Sequence, residues 1–290
     1  RRALVGVGVV GLAMTAIAFS IGKGQQAIDP CEGAADTIAP SWGPAREAAA
    51  TVHFAGLSKY ARATAPQIAA SLDGYATNWT SLHQASCRAH QRGELSPSSF
   101  DRRLACLAIR GAALAKVGDL LTSVPSEGVP DLVIATGNLP ELATCGRDDL
   151  LLSPVEPPTM PQAQEAAAIA ALIAQVDVQR DAGKVEDATH DADTALRRAE
   201  LLGYTPLIAR AKLARGRVTL SLLKDDRGAA AFREAMLLAL RANDEPLAVE
   251  AFARGSWAAS TSANTHVAID GLPLIEAITD RIGDREPFVR

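Results

Sequence analysis

An internal repeat in residues 162–290 limits this chain to few folds. Residues recur with a shift of 40 positions: Ala195, Ala199 and Leu202 match Ala235, Ala239 and Ala242, and Pro206 matches Pro246. Each copy has the pattern of two helices joined by a turn, at Gly183 in the first copy, and a third, less regular copy runs from Leu247 to the end. Stacked helical pairs with small residues where the helices meet are typical of an α-solenoid.

This pattern resembles the tetratricopeptide repeat, in which small residues occupy equivalent places in the second helix. The period of that family is about 34 residues. Because the period here is longer, we expect the connecting turns to hold the additional residues. The resemblance implies a surface that binds a peptide or a partner protein.

The composition predicts an all-α fold for the rest of the chain as well. Alanine and leucine are abundant, aromatic residues make up 4% of the sequence, and long β-branched runs are absent. A net charge of -4 and a pI near 5.8 give no basic surface for nucleic acid.

Residues 153–161 are rich in proline and predict an extended linker between two regions. Before it, residues 28–152 predict a helical domain that contains all four cysteines. Ser96 followed by Pro97 predicts a helix start. The expected helices span roughly residues 44–56, 65–91, 97–122 and 126–137, and one buried face of the second comprises Leu72, Tyr75, Ala76, Trp79 and Leu82.

The N-terminal residues 1–24 predict a transmembrane helix with juxtamembrane arginines. Residues 3–22 are uncharged and long enough to cross a bilayer, and the two arginines before them favour a cytoplasmic N-terminus. The prediction is a single-pass protein of the cytoplasmic membrane, with the residues after 24 outside the cytoplasm. Because the sequence lacks an initiator Met, we expect it to begin inside a longer protein.

Two other interpretations apply to the same N-terminal segment. Gly6, Gly8 and Gly11 have the spacing of a dinucleotide-binding turn, but neither a preceding strand nor a following strand with an acidic end accompanies them. The segment also resembles a secretory signal with a poor cleavage site at Ala16–Ala18, but its apolar part is too long.

The cysteines predict disulfides, since this region is expected outside the cytoplasm. Cys87 and Cys106 lie about equally far from the middle of the connection between two predicted helices. An antiparallel helix pair would place them at one level, so we expect Cys87 to bond to Cys106 and Cys31 to Cys145. The alternative is four buried free thiols.

The order of these segments is similar to the C-terminal half of membrane-anchored bacterial serine/threonine protein kinases of the myxobacterial type. The most specific pieces are "LDGYATNW" and "FDRRLACL", between a membrane helix with its "PCEGA" segment and the repeats. The resemblance implies a cytoplasmic kinase domain N-terminal to this chain. The chain itself contains none of the kinase motifs, which are the glycine-rich loop, the strand lysine, His-Arg-Asp and Asp-Phe-Gly.

Other patterns give no catalytic, cofactor-binding or metal-binding residues. Cys87 and His90 lie one turn apart, but no second pair completes a zinc site. His190 and Asp193 share a helix face that a solvated repeat surface explains.

We therefore expect a non-catalytic sensor or protein-interaction region of a membrane-anchored kinase, in which ligand binding or homodimerisation outside brings cytoplasmic domains together. The alternative is a stand-alone, membrane-anchored tetratricopeptide-repeat scaffold.

Overall fold

The computed structural model describes residues 31–147, 155–222, 225–260 and 265–282. The described residues form α-helices joined by short turns, with no β-strand among them, which confirms the all-α prediction. The helices, in chain order, are α1 Ala34–Ile38, α2 Pro44–Ala55, α3 Lys59–Gln91, α4 Pro97–Leu120, α5 Val129–Gly137, α6 Met160–Asp181, α7 Val185–Leu202, α8 Thr205–Ser221, α9 Asp225–Arg241, α10 Glu245–Ser260 and α11 Thr265–Ile282. Two 3₁₀ turns lie at Ser126–Gly128 and Ala143–Gly146.

The predicted membrane span, residues 3–22, lies outside the described residues. Among the residues that the structure does describe, no helix is both long enough and apolar enough to cross a bilayer.

The helices of the first region begin and end close to where the sequence predicts. Ser96 caps α4 by accepting a hydrogen bond from the Ser99 backbone N–H at 3.1 Å, and Pro97 occupies the first turn. One boundary differs: α3 begins at Lys59 rather than near residue 65, and it continues through Pro66. The burial of Ala61 and Ile68 on either side of Pro66 offsets the hydrogen bond that proline cannot make.

All four cysteines form disulfides, but the predicted pairing is wrong. Cys31 bonds to Cys87, and Cys106 bonds to Cys145. The prediction assumed that Cys87 and Cys106 lie opposite each other on the two antiparallel helices. In the structure α3 ends at Gln91 and α4 begins at Pro97, and the two helices are shifted along their axes. The Trp79 indole N–H donates to the Leu107 carbonyl at 2.7 Å, so residue 106 lies level with the middle of α3, about seven residues before Cys87. At 1.5 Å per residue that offset is about 10 Å, too far for a disulfide.

The last six helices form three antiparallel hairpins with a regular register. Helices begin at Val185, Thr205, Asp225, Glu245 and Thr265, which is every 20 residues. A left-handed residue recurs in the turns, at Gly183, Gly203 and Asn243, with φ of 71°, 70° and 57°. The 40-residue period of the sequence is therefore one helical hairpin.

The additional length of this repeat lies in the helices, so the expectation of longer turns is wrong. Helices α8 and α9 have 17 residues each, which accounts for 34 of the 40 positions. Pro206 and Pro246 fall in the first turns of α8 and α10, where a missing backbone N–H costs little. Long helices and short turns, of two residues at 203–204 and of three residues at 182–184 and 242–244, therefore set the period.

Buried small residues fix the distance between the hairpins. Ala195, Ala199, Ala235 and Ala239, four of the residues matched by the 40-residue shift, are fully buried. Gly216 of α8 lies under the buried ring of Phe232, and a Cβ at residue 216 would come within 2.7 Å of that ring. The helix backbones approach closely only because these side chains are absent or small.

One hydrophobic core extends across the proline-rich segment. Leu114 and Val117 of α4 belong to the same buried cluster as Ala174, Val178 and Ala182 at the end of α6. The predicted linker, residues 153–161, overlaps the first turn of α6, which begins at Met160 after a capping box formed by Thr159 and Gln162. Helix α4 thus covers the side of α6 that would otherwise be exposed at the start of the array.

We predict opposite effects for alanine at two helical glycines. Gly216→Ala places a methyl group against the buried Phe232 ring and is expected to lower the free energy of unfolding by about 1–2 kcal/mol. Gly74→Ala, where a Cβ meets nothing within 4 Å, is expected to raise it by about 0.5–1 kcal/mol through helix propensity. Denaturant unfolding of the two variants measures both values, and a stabilised Gly216→Ala would contradict the close packing.

Removing the Cys106–Cys145 bond is expected to destabilise the first region. Because the two cysteines are separated by 39 positions in the sequence, replacing both by serine is expected to cost about 3–4 kcal/mol through the greater entropy of the unfolded chain. Denaturant unfolding of the full chain measures the loss. A peptide map without reduction checks the pairing, and a linked Cys87–Cys106 peptide would contradict the structure.

Candidate protein-binding surface of the helical repeats

The hairpins form two layers, one of first helices (α6, α8 and α10) and one of second helices (α7, α9 and α11). Helix α8 contacts both α6 and α10, and these contacts are more extensive than those between α7 and α9 or between α9 and α11. Since the first helices lie closer together than the second helices, we call their solvent-facing side the inner face of the array.

A largely buried arginine joins the three first helices at the inner face. Arg217 of α8 has a side chain that is only 15% exposed. Its Nη1 donates to Asp177 Oδ2 of α6 at 2.8 Å, and its Nη2 donates to Glu250 of α10. Arg254 donates from Nε to the same Glu250 at 2.8 Å. This cluster, Asp177, Arg217, Glu250 and Arg254, is called the inner-face ion cluster below.

In this cluster, attraction between opposite charges outweighs the effect of burial on the pKa values. Burial alone would lower the pKa of Arg217, but the charges of Asp177 and Glu250 hold it above its ordinary value. Burial would likewise raise the pKa of Glu250, yet Arg217 and Arg254 outweigh this effect and lower it. Arg217 and Glu250 are therefore both charged at neutral pH.

One set of equivalent positions on the three first helices holds three different residue types. Asp177, Arg217 and Trp257 are spaced by 40 residues, on α6, α8 and α10. Trp257 is 62% exposed, and it follows Arg254 by three residues on α10, so its side chain lies on the same side of that helix as Arg254. Aromatic and arginine side chains are enriched at protein interfaces, and this combination suits a protein partner.

The disulfide-bonded region contains a groove of about 700 Å³ beside α3. It is lined by Tyr75, Asn78, Ser81, Leu82, Leu139, Glu141, Leu142 and Ala143. The far wall is fixed by the Cys106–Cys145 bond and by the Tyr75 hydroxyl, which donates to the Pro140 carbonyl at 2.8 Å. Burial raises the pKa of Tyr75 and keeps its phenol neutral, against the opposing charge of Arg110. The lining offers no pairing of a nucleophile with a base.

The residues that the sequence analysis considered beside histidines have other partners in the structure. Cys87 is bonded to Cys31, while His90 hydrogen-bonds the Leu95 carbonyl at 3.0 Å and stacks on Phe100. Asp193, which the sequence pairs with His190, makes an ion pair with Arg215 instead. Within the described residues, no three metal-binding side chains come together.

Sequence reasoning did not identify the inner-face ion cluster. Arg217 and Glu250 are 33 residues apart and do not share the 40-residue shift, so the repeat alignment does not pair them. The usable signal was the charge reversal from Asp177 to Arg217 at equivalent positions of neighbouring repeats.

Comparison with known proteins adds no relative: no family model, no curated protein and no solved structure matches this chain.

We predict that Arg217 is needed for the packing of the first helices. Arg217→Met leaves Asp177 and Glu250 without their shared partner and is expected to cost about 2–3 kcal/mol, below the range of a fully buried pair because both carboxylates are partly exposed. Arg197→Met, on the exposed side of α7, is the matched control and is expected to change stability by less than about 0.5 kcal/mol. Denaturant unfolding distinguishes the two.

The same cluster predicts a pH dependence. Because the pKa of folded Glu250 lies below its unfolded value of 4.5, the stabilisation is complete above that value and is lost as the pH falls through the folded pKa. Glu250→Gln is expected to flatten the stability curve in this acidic range. An unchanged curve would show that Glu250 does not contribute.

Proposed function

We propose that this chain is a non-catalytic protein-interaction region whose helical repeats bind a peptide or protein partner. The observation that carries the proposal is the inner face, where three helices in 40-residue register present charged and aromatic side chains. Repeat arrays of this type use such extended faces for partner binding. Among the described residues, no constellation for covalent or acid–base catalysis competes with this function.

The proposal includes a location outside the cytoplasm and a tether through residues 3–22. The two disulfides support this location, since such bonds persist in oxidising compartments. A partner that binds outside, or dimerisation there, would then bring two cytoplasmic domains together.

The resemblance to myxobacterial-type kinases adds that the parent protein is a membrane-anchored serine/threonine kinase. Reading the coding frame upstream of Arg1 tests this part of the proposal. We expect codons for a strand lysine, His-Arg-Asp and Asp-Phe-Gly. A start codon directly before Arg1 would instead favour the alternative, a stand-alone membrane-anchored repeat scaffold.

Photo-crosslinking tests the binding face itself. A benzophenone amino acid is placed at Trp257 on the inner face or at Leu237 on the second-helix layer, two sites that are 62% and 46% exposed. After irradiation of intact cells, we expect the variant at residue 257 to give a discrete heavier adduct and the variant at residue 237 to give none. Mass spectrometry of the adduct identifies the partner.

Two results would contradict the inner-face proposal. Equal adducts from both positions would indicate nonspecific proximity, and adducts from residue 237 alone would place the partner on the opposite layer. An adduct made only of this chain would assign the face to homodimerisation.

A further inference from the structure

The last described helix, α11, carries an apolar position that is covered in the preceding hairpin. Leu272 of α11 is equivalent, at a shift of 40, to Phe232 of α9. Phe232 is fully buried between α8 and α10, and a Cβ at Gly255 of α10 would lie 3.3 Å from its Cβ. The first helix of the following hairpin therefore completes the burial of this position.

On α11 no described residue covers the equivalent position, Leu272. Leu272 is 46% exposed and Ile269, one turn earlier, is 63% exposed. The helix has already buried a different face, since Ile275, Ile278 and Ile282 pack in a cluster with Val249 of α10. Ile269 and Leu272 thus form a second apolar strip, on the side where the register of the array places the next helix.

Acidic residues continue this strip. Ile269, Leu272, Glu276 and Asp280 are spaced by three, four and four residues, so they lie along one side of α11, and all four are exposed. These four residues are called the end strip. Two carboxylates four residues apart repel each other, and negative charge near a helix C-terminus opposes the helix dipole. The acidic half of the end strip therefore costs helix stability, and a cationic partner would remove that cost.

We propose that the end strip docks a basic amphipathic helix of a partner protein, which takes the place that α10 occupies against α9. Small residues of this helix would lie against Leu272, as Gly255 lies against Phe232, and lysine or arginine would meet Glu276 and Asp280. The inference rests on the proposed function in its general form, protein binding by the repeats, but it assigns a different surface from the inner face.

A designed peptide tests the strip with the full chain. The peptide is a helix that carries leucine, alanine and glycine at the spacing of Leu247, Ala248, Ala251 and Gly255, with two lysines placed to meet Glu276 and Asp280. Binding is followed by fluorescence anisotropy of the labelled peptide. We expect the double variant Glu276→Lys, Asp280→Lys to weaken binding by about tenfold or more, since two attractive pairs become repulsive.

A charge swap and a matched control make the test specific. A second peptide with glutamates in place of the two lysines is expected to bind the double variant better than the unmodified chain. Asp270→Lys changes one charge on another side of α11 and is expected to weaken binding less than Glu276→Lys does. Equal losses from these two single variants, or no recovery with the swapped peptide, would overturn the proposal.

Two further measurements identify other outcomes. Sedimentation of the full chain shows whether it dimerises, and a dimer that the double variant abolishes would assign the strip to a second copy, against the proposal. Peptide binding that depends on the strip, together with no adduct from residue 257, would support the end strip while the inner-face function fails.

Discussion

The packing of α6 against α4 joins the two halves of this chain, and the array beyond it is built on this contact. Ala174, Val178 and Ala182 share a buried cluster with Leu114 and Val117. A first solenoid helix exposes an apolar side unless another element covers it. Here the disulfide-bonded region covers it, so the proline-rich segment connects parts that share a core.

Beyond α6, regularity comes from small residues on a 20-residue helix spacing. Successive helices are added alternately to the layer of first helices and the layer of second helices. The chain reverses direction at turns that contain a left-handed residue such as Gly203 or Asn243. Because buried positions hold alanine or glycine, neighbouring backbones approach closely and large side chains such as Phe232 fill single gaps. Close first helices explain why Arg217 reaches carboxylates on both sides.

Local signals in the sequence were enough for the helices but not for their relative placement. The Ser96 cap and the Ala195–Ala235 repeat depend on neighbouring residues or on a fixed shift, and both are confirmed. The cysteine pairing failed because it depends on the level of α4 against α3, which Trp79 and Leu107 set through tertiary packing. The core shared by α4 and α6 was not predicted for the same reason. The prolines indicate a stiff, extended segment, but they do not indicate whether the regions on its two sides pack together. The inner-face ion cluster likewise requires three helices to be in place before its charges meet.

The continuous core also determines how binding at the repeats would act on the rest of the chain. Contacts run without a break from α11 through α10, α9, α8 and α7 to α6, and from α6 to α4. The Cys31–Cys87 and Cys106–Cys145 bonds then tie α3 and α4 to the first described residues and to the segment after α5. If the repeats bind a partner as proposed, a change in the orientation of the array would be passed through these contacts to the part of the chain nearest residue 31. Under the proposed function, the signal would then be the position or pairing of whole chains.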